Sequence, residues 1–110
     1  MMNYGDASMA NSRRYHPLVA ADLAAAVDYY DEISVDLGNR FRESIRARIE
    51  TITDRPSSFA RIDQQFRAAI LDRFPYVVIF ELEGTTVTII GIFHAASDQA
   101  RWFGRSDKNE

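Results

Sequence analysis

Apolar positions follow two different periods along the chain, and the change of period divides it. From Val19 onward, Val19, Leu23, Ala26/Val27, Tyr30, Ile33 and Leu37 recur at steps of three and four, which marks one buried stripe on an amphipathic helix. The alanines between Ala20 and Ala26 favour helix further. Gly38-Asn39 reads as a break, a glycine just past a helix end followed by a new cap. Phe41, Ile45, Ile49 and Ile52 then define a second stripe that ends before Pro56. Two helices joined this tightly form an antiparallel hairpin.

After Pro56 the segment from Ser57 to Asp63 reads as a loop, and beyond it the period falls to two. Three strands are expected, at about Gln65 to Leu71, Tyr76 to Glu83 and Thr86 to His94, with Phe74-Pro75 and Gly84-Thr85 as turns. Links this short make an antiparallel meander. In the first strand Phe66, Ala68 and Ile70 face one way and Gln65, Arg67 and Ala69 the other. The helices are expected to cover the Phe66 face. The middle strand is apolar on both parities from Tyr76 to Phe80, so it belongs inside the sheet with both faces covered. Either the terminal segment bearing Trp102 and Phe103 or a partner protein must supply the second cover. Ahead of the helices, Arg13 to His16 is a short candidate strand that stops at Pro17, which lacks the amide a ladder needs. The pattern as a whole is α+β: an N-terminal strand, a helical hairpin, a three-stranded meander and a short C-terminal segment.

Composition narrows the function classes. The chain has 110 residues, 46% of them apolar and 26% charged, which fits one domain over 13–105. Residues 1–12 lack apolar periodicity and read as a mobile leader, and 106–110 as a tail. No apolar run approaches the roughly 20 residues that span a bilayer, and the leader is not a secretory signal, so a cytoplasmic protein without membrane contact is expected. There is no cysteine, hence neither a disulfide framework nor a thiolate nucleophile. Two histidines far apart, without carboxylates at ligand spacing, make no case for a metal, and nothing implies a cofactor. Thirteen Lys and Arg against 16 Asp and Glu leave a formal charge of −3, which argues against broad nucleic-acid binding through phosphate neutralisation.

The order strand, helix, helix, three-strand meander resembles the ParE/RelE toxin superfamily over about Tyr15 to Arg105. The residues that carry the resemblance are Asp22-Leu23 and Tyr29-Tyr30 on the first helix, Leu37-Gly38 with Phe41 at the hairpin, and Pro56 after the second helix. Arg67, the turn Arg73-Phe74-Pro75-Tyr76, His94 at the end of the last strand, and Trp102 and Arg105 beyond it complete the set. The resemblance implies a toxin of a type II toxin–antitoxin pair, in a hetero-oligomer with a ParD-like antitoxin. It implies one of two activities: ParE-like inhibition of a protein target, DNA gyrase first, or RelE-like cleavage of messenger RNA on the ribosome. Basic residues that often follow the histidine in such proteins are replaced here by Ala95-Ala96-Ser97-Asp98.

Cleavage of RNA through its 2′-hydroxyl needs a base, a proton donor and positive charge at the phosphorane. His94 is the candidate base, Arg67 the candidate charge, and Tyr76 and Arg73 the weaker partners. For an enzyme the catalytic set would be His94, Arg67 and Tyr76. For a protein-binding toxin the contact set would be Arg67, Arg73, Tyr76, His94, Trp102 and Arg105. Each also has a plain structural reading: a strand-end cap for His94, an ion pair with a sheet neighbour such as Glu81 for Arg67, packing for Tyr76, and a docking anchor for Trp102. From Pro56 onward there are six basic and seven acidic residues, which favours a protein target over an RNA one. A toxin fold kept only as a non-toxic interaction module is the third reading.

Overall fold

The computed structural model describes residues 11–105. The leader expected at 1–12 lies mostly outside them, as does the tail at 106–110; of the leader, Ser12 already belongs to a strand, and Asn11 Nδ2 donates to the Thr53 carbonyl at 2.7 Å. In chain order the elements are β1 (Ser12–Tyr15), α1 (Val19–Ile33), α2 (Val35–Asp54), a 3-10 turn (Pro56–Ser58), β2 (Phe66–Ile70), β3 (Tyr76–Glu83), β4 (Thr86–His94) and α3 (Gln99–Phe103). The sheet order is β1-β4-β3-β2, with β1 parallel to β4 and the meander antiparallel. Gly84, at φ 63°, occupies the turn between β3 and β4, a conformation that favours glycine.

The hairpin does not break at Gly38-Asn39. It breaks at Ser34, an extended residue (φ −165°, ψ 148°) that ends one helix and starts the next. Its N–H donates to the Tyr30 carbonyl at 3.0 Å, and its Oγ accepts from the Leu37 N–H at 3.0 Å. Both orphan ends are satisfied by one residue, and Asp36 in the first turn suits the positive end of the α2 dipole. Leu37 therefore belongs to α2, and Gly38 sits buried inside it for a different reason. A Cβ at position 38 would overlap the Asp31 carboxylate of α1, whose Oδ1 is buried with no hydrogen-bond partner. Glycine here leaves room for that carboxylate between the two helices, with Asp31 Cα 3.3 Å from where the Cβ would lie. Gly38→Ala is expected to destabilise the fold by about 1–2 kcal/mol through overpacking, although alanine is the better helix former by about 1 kcal/mol. In an Asp31→Ala background the same change is expected to become neutral or stabilising, and thermal unfolding of the four proteins of the cycle checks it.

The core has two layers. Between the hairpin and the sheet lie Val27, Tyr30, Phe41, Ile45, Ile49 and Ile52 of the helices against Ala69, Leu71, Val78, Phe80, Val87, Ile89 and Ile92. On the opposite face Phe66, Val77, Ile79, Ile90 and Phe93 are closed by Trp102. The expected face of β2 is thus reversed: the helices cover the Ala69 parity, and Phe66 points away from them. The frame is set at Asp63, whose Oδ1 accepts from the N–H groups of Gln65 and Phe66 at 2.8 and 2.6 Å. The hairpin side, already filled by Phe41, Phe59 and Phe80, takes the small Ala69 instead. The second cover is the chain's own α3, where Trp102 stacks on Phe93 at 5.9 Å between ring centroids and Trp102 Nε1 donates to Ser97 Oγ at 3.0 Å.

Candidate functional site

His94 ends β4 directly opposite Tyr76, the first residue of β3, and their rings meet edge to face at 5.2 Å. Tyr76 also abuts Phe41 at 5.1 Å and Tyr30 at 6.2 Å, so the RFPY turn places its tyrosine at the margin of the helix-side core. Burial, together with neighbouring phenols, raises the pKa of Tyr30 and of Tyr76 above the ordinary tyrosine value. Both phenols stay protonated at neutral pH, where Tyr76 can donate a proton but cannot act as a base. His94 is exposed, and its Nδ1 accepts from the Ala96 N–H at 3.0 Å, which ties the ring to the following turn.

Arg67 does not join them. It lies on β2 opposite Phe80, whereas His94 lies opposite Tyr76, four residues or about 13 Å farther along β3. Its Nη1 donates to the Phe59 carbonyl at 2.7 Å, on the helix side of the sheet rather than the side away from the helices as expected. Glu81, proposed as its partner, faces the other way and accepts from Gln65 Nε2 at 3.2 Å. Arg73 stands exposed at the β2–β3 turn, where it lines a cleft of about 470 Å³ with Phe74, Leu37, Arg40 and Ser44. Trp102 is only 5% exposed and anchors α3. Arg105 is likewise internal: its Nη1 binds Asp22 Oδ2 at 2.6 Å, with both side chains largely buried.

A larger concave surface lies elsewhere. A groove of about 760 Å³ runs between β1, α1 and α2. Its apolar lining includes Val19, Ala20, Leu23, Ile45, Ile49 and Ile92, and its rim carries Arg13, Arg42 and Arg46 against a single acid, Glu50. Arg42 reaches Asn39 and Asp31 at 2.8 and 3.4 Å, and Arg46 binds Glu43 at 2.8 and 2.9 Å, all in exposed pairs. Beside it all four residues of β1 are exposed. The Ser12 and His16 amides point at β4, so in the alternating ladder those of Arg13 and Tyr15 point outward. None of these rim arginines was singled out from the sequence. Their signals were present, Arg42 and Arg46 at i, i+4 beside the Ile45 stripe and Arg13 in a strand cut short by Pro17, but only the crossing of β1 and α2 brings them together.

Among the described residues no helix is long and apolar enough to cross a membrane. No curated protein matches the chain. Among solved structures it is similar to a chain of the chromosomal ParDE TA system from P. aeruginosa, at 22% identity and a TM-score of 0.68, over 76% of this chain and 95% of that one. That likeness bears on the fold. A family model described as the ParE toxin of the type II toxin–antitoxin system parDE matches residues 13–99. With the match spanning the hairpin, the whole meander and the His94 turn, the chain belongs to the ParE toxin family of type II toxin–antitoxin systems.

Proposed function

We propose that the chain is a toxin held inactive by a ParD-like antitoxin in a hetero-oligomer, and that when free it binds and inhibits a protein target, with DNA gyrase the first candidate. The observation that carries this reading is the groove: an apolar floor, three arginines at its rim and an open strand edge along one wall. It suits an amphipathic segment with carboxylates on its flanks, lying as a helix over Leu23 and Ile45, adding a strand to β1, or both. Arg42 and Arg46 sit in exposed pairs, each worth little, so exchanging them for a partner's carboxylates costs little.

Inhibition of a protein needs only preferential binding to one of its states, with no catalytic group. The endoribonuclease alternative needs positive charge where His94 and Tyr76 meet. Arg67 is engaged elsewhere, Arg73 lines the cleft beside Leu37 and Arg40, and the turn Ala95-Ala96-Ser97-Asp98 supplies no cation. The non-toxic module shares the groove and differs only in having no effect on growth.

Ala20 is exposed within the groove, so Ala20→Glu adds bulk and a charge that repels the partner's carboxylates without disturbing the core. Affinity for the antitoxin is expected to fall about 100-fold, close to 3 kcal/mol, with thermal unfolding unchanged. In cells the variant is expected to stop growth even when the antitoxin is present. Isothermal titration calorimetry with the antitoxin reads the loss, and an unaltered affinity would move the antitoxin out of this groove.

A further inference from the structure

α2 carries concave surfaces on two flanks. At about 3.6 residues per turn, Leu37, Arg40, Ser44 and Ala47 fall on the flank opposite Arg42, Arg46 and Ile49. The second set lines the groove proposed for the antitoxin. The first lines the cleft of about 470 Å³ that the β2–β3 turn closes with Arg73 and Phe74.

Both walls of that cleft are fixed. Arg48 Nη2, from α2, binds Asp72 Oδ1 in the turn at 3.0 Å, and the Phe74 ring packs edge to face on Tyr30 and Phe41 at 5.0 and 5.1 Å. Phe74 and Leu37 are nonetheless only half-buried, and what they leave open lines the cleft. The charges around it leave one arginine over. Asp72 is taken by Arg48, Glu43 by Arg46 and Asp36 by Arg40, at 3.0, 2.8 and 3.0 Å. Among the described residues no carboxylate lies within ion-pair reach of Arg73, which stands exposed at the rim. Aromatic and arginine side chains beside a half-buried apolar floor are the composition of the centre of a protein interface.

We propose that this cleft is where the toxin holds its target: an apolar side chain of the target protein enters between Leu37 and Phe74, and a carboxylate beside it pairs with Arg73. The proposal rests on the toxin reading and adds to it the surface and the chemistry by which the target is held. One helix, roughly 10–12 Å across with its side chains, separates the cleft from the groove. A globular target seated in the one therefore collides with an antitoxin seated in the other, so the antitoxin silences a surface that it does not fill.

Ala47 is exposed in the cleft and outside the core, so Ala47→Glu adds bulk there and a charge that repels the target's carboxylate. Arg73→Glu reverses the cation at the rim. Each variant is induced alone in cells over a series of inducer levels, with soluble toxin, growth and messenger RNA integrity followed. Calorimetry on the purified proteins gives their affinity for the antitoxin. The parent is expected to arrest growth with messages intact. The amount of either variant needed for arrest is expected to rise about tenfold or more, as for residues at the centre of an interface. Antitoxin affinity is expected to stay within about twofold, as for well-separated sites, with thermal unfolding unchanged. If the parent arrests growth and either folded variant does so at the parent's dose, the cleft is not the target surface and the toxin reading stands. Antitoxin affinity that falls together with the arrest would overturn the proposal by giving the cleft to the antitoxin, and cleaved messages would overturn it by giving the cleft to RNA. A parent that leaves growth untouched removes the toxin reading and this one with it. Should one variant unfold, the other decides.

Discussion

Replacing Trp102 with alanine is expected to lower stability by about 3 kcal/mol and to uncover one whole face of the sheet. The helix that carries it has five residues, too few to hold itself in water, so its order depends on the indole stacked against Phe93 and tied to Ser97. Phe103, still 38% exposed and stacked on Phe66 at 6.2 Å, is too marginal an anchor to replace it. Loss of Trp102 leaves Val77, Ile79, Ile90 and Phe93 facing water. Urea unfolding measures the energy, and a dye that fluoresces on apolar surfaces should bind the variant but not the parent. A variant as stable as the parent and silent to the dye would mean that something other than α3 closes that face.

A change of similar size is expected at Asp22. Asp22→Ala strands the Arg105 guanidinium in a site where 12% of the side chain is exposed, and leaves the Ile92 N–H without its acceptor. Removing one partner of a buried pair costs about 3 kcal/mol or more, because the remaining charge is desolvated with nothing to offset it. Replacing both side chains by leucine and methionine should recover most of that loss. Denaturant midpoints of the single and double variants give the comparison. If the single change costs under about 0.5 kcal/mol, the pair is solvated in the manner of a surface bridge.

Local patterning revealed the strands more fully than the helices. The bounds of β3 and β4 follow directly from the turn residues Pro75 and Gly84 and the end of the apolar run at His94. The hairpin joint was hidden because a glycine that allows close packing and a glycine that ends a helix look alike along the chain. Ser34, the true joint, caps from both sides only once the two helices exist. The face of β2 was hidden for a different reason: Gln65 and Arg67 made the Ala69 parity look like the outer one, whereas Arg67 is accommodated on the helix side by the Phe59 carbonyl and the volume that Phe41, Phe59 and Phe80 left under the hairpin suits Ala69. At the site, His94 beside Tyr76 follows from strand register. Arg67 and Arg105 do not, since their partners lie eight and 83 residues away and are brought in by a loop carbonyl and a helix start. The groove rim is likewise a product of the tertiary crossing of β1 and α2.

The central claim, a toxin that acts on a protein and is silenced by its antitoxin, is tested most directly by inducing this chain alone and together with the product of the adjacent open reading frame. Growth, messenger RNA integrity and DNA supercoiling are followed in parallel. Growth arrest relieved by the neighbour, with intact messages and altered supercoiling, is the predicted result. Healthy growth at high soluble expression would contradict the toxin activity, and cleaved messages would contradict the protein target.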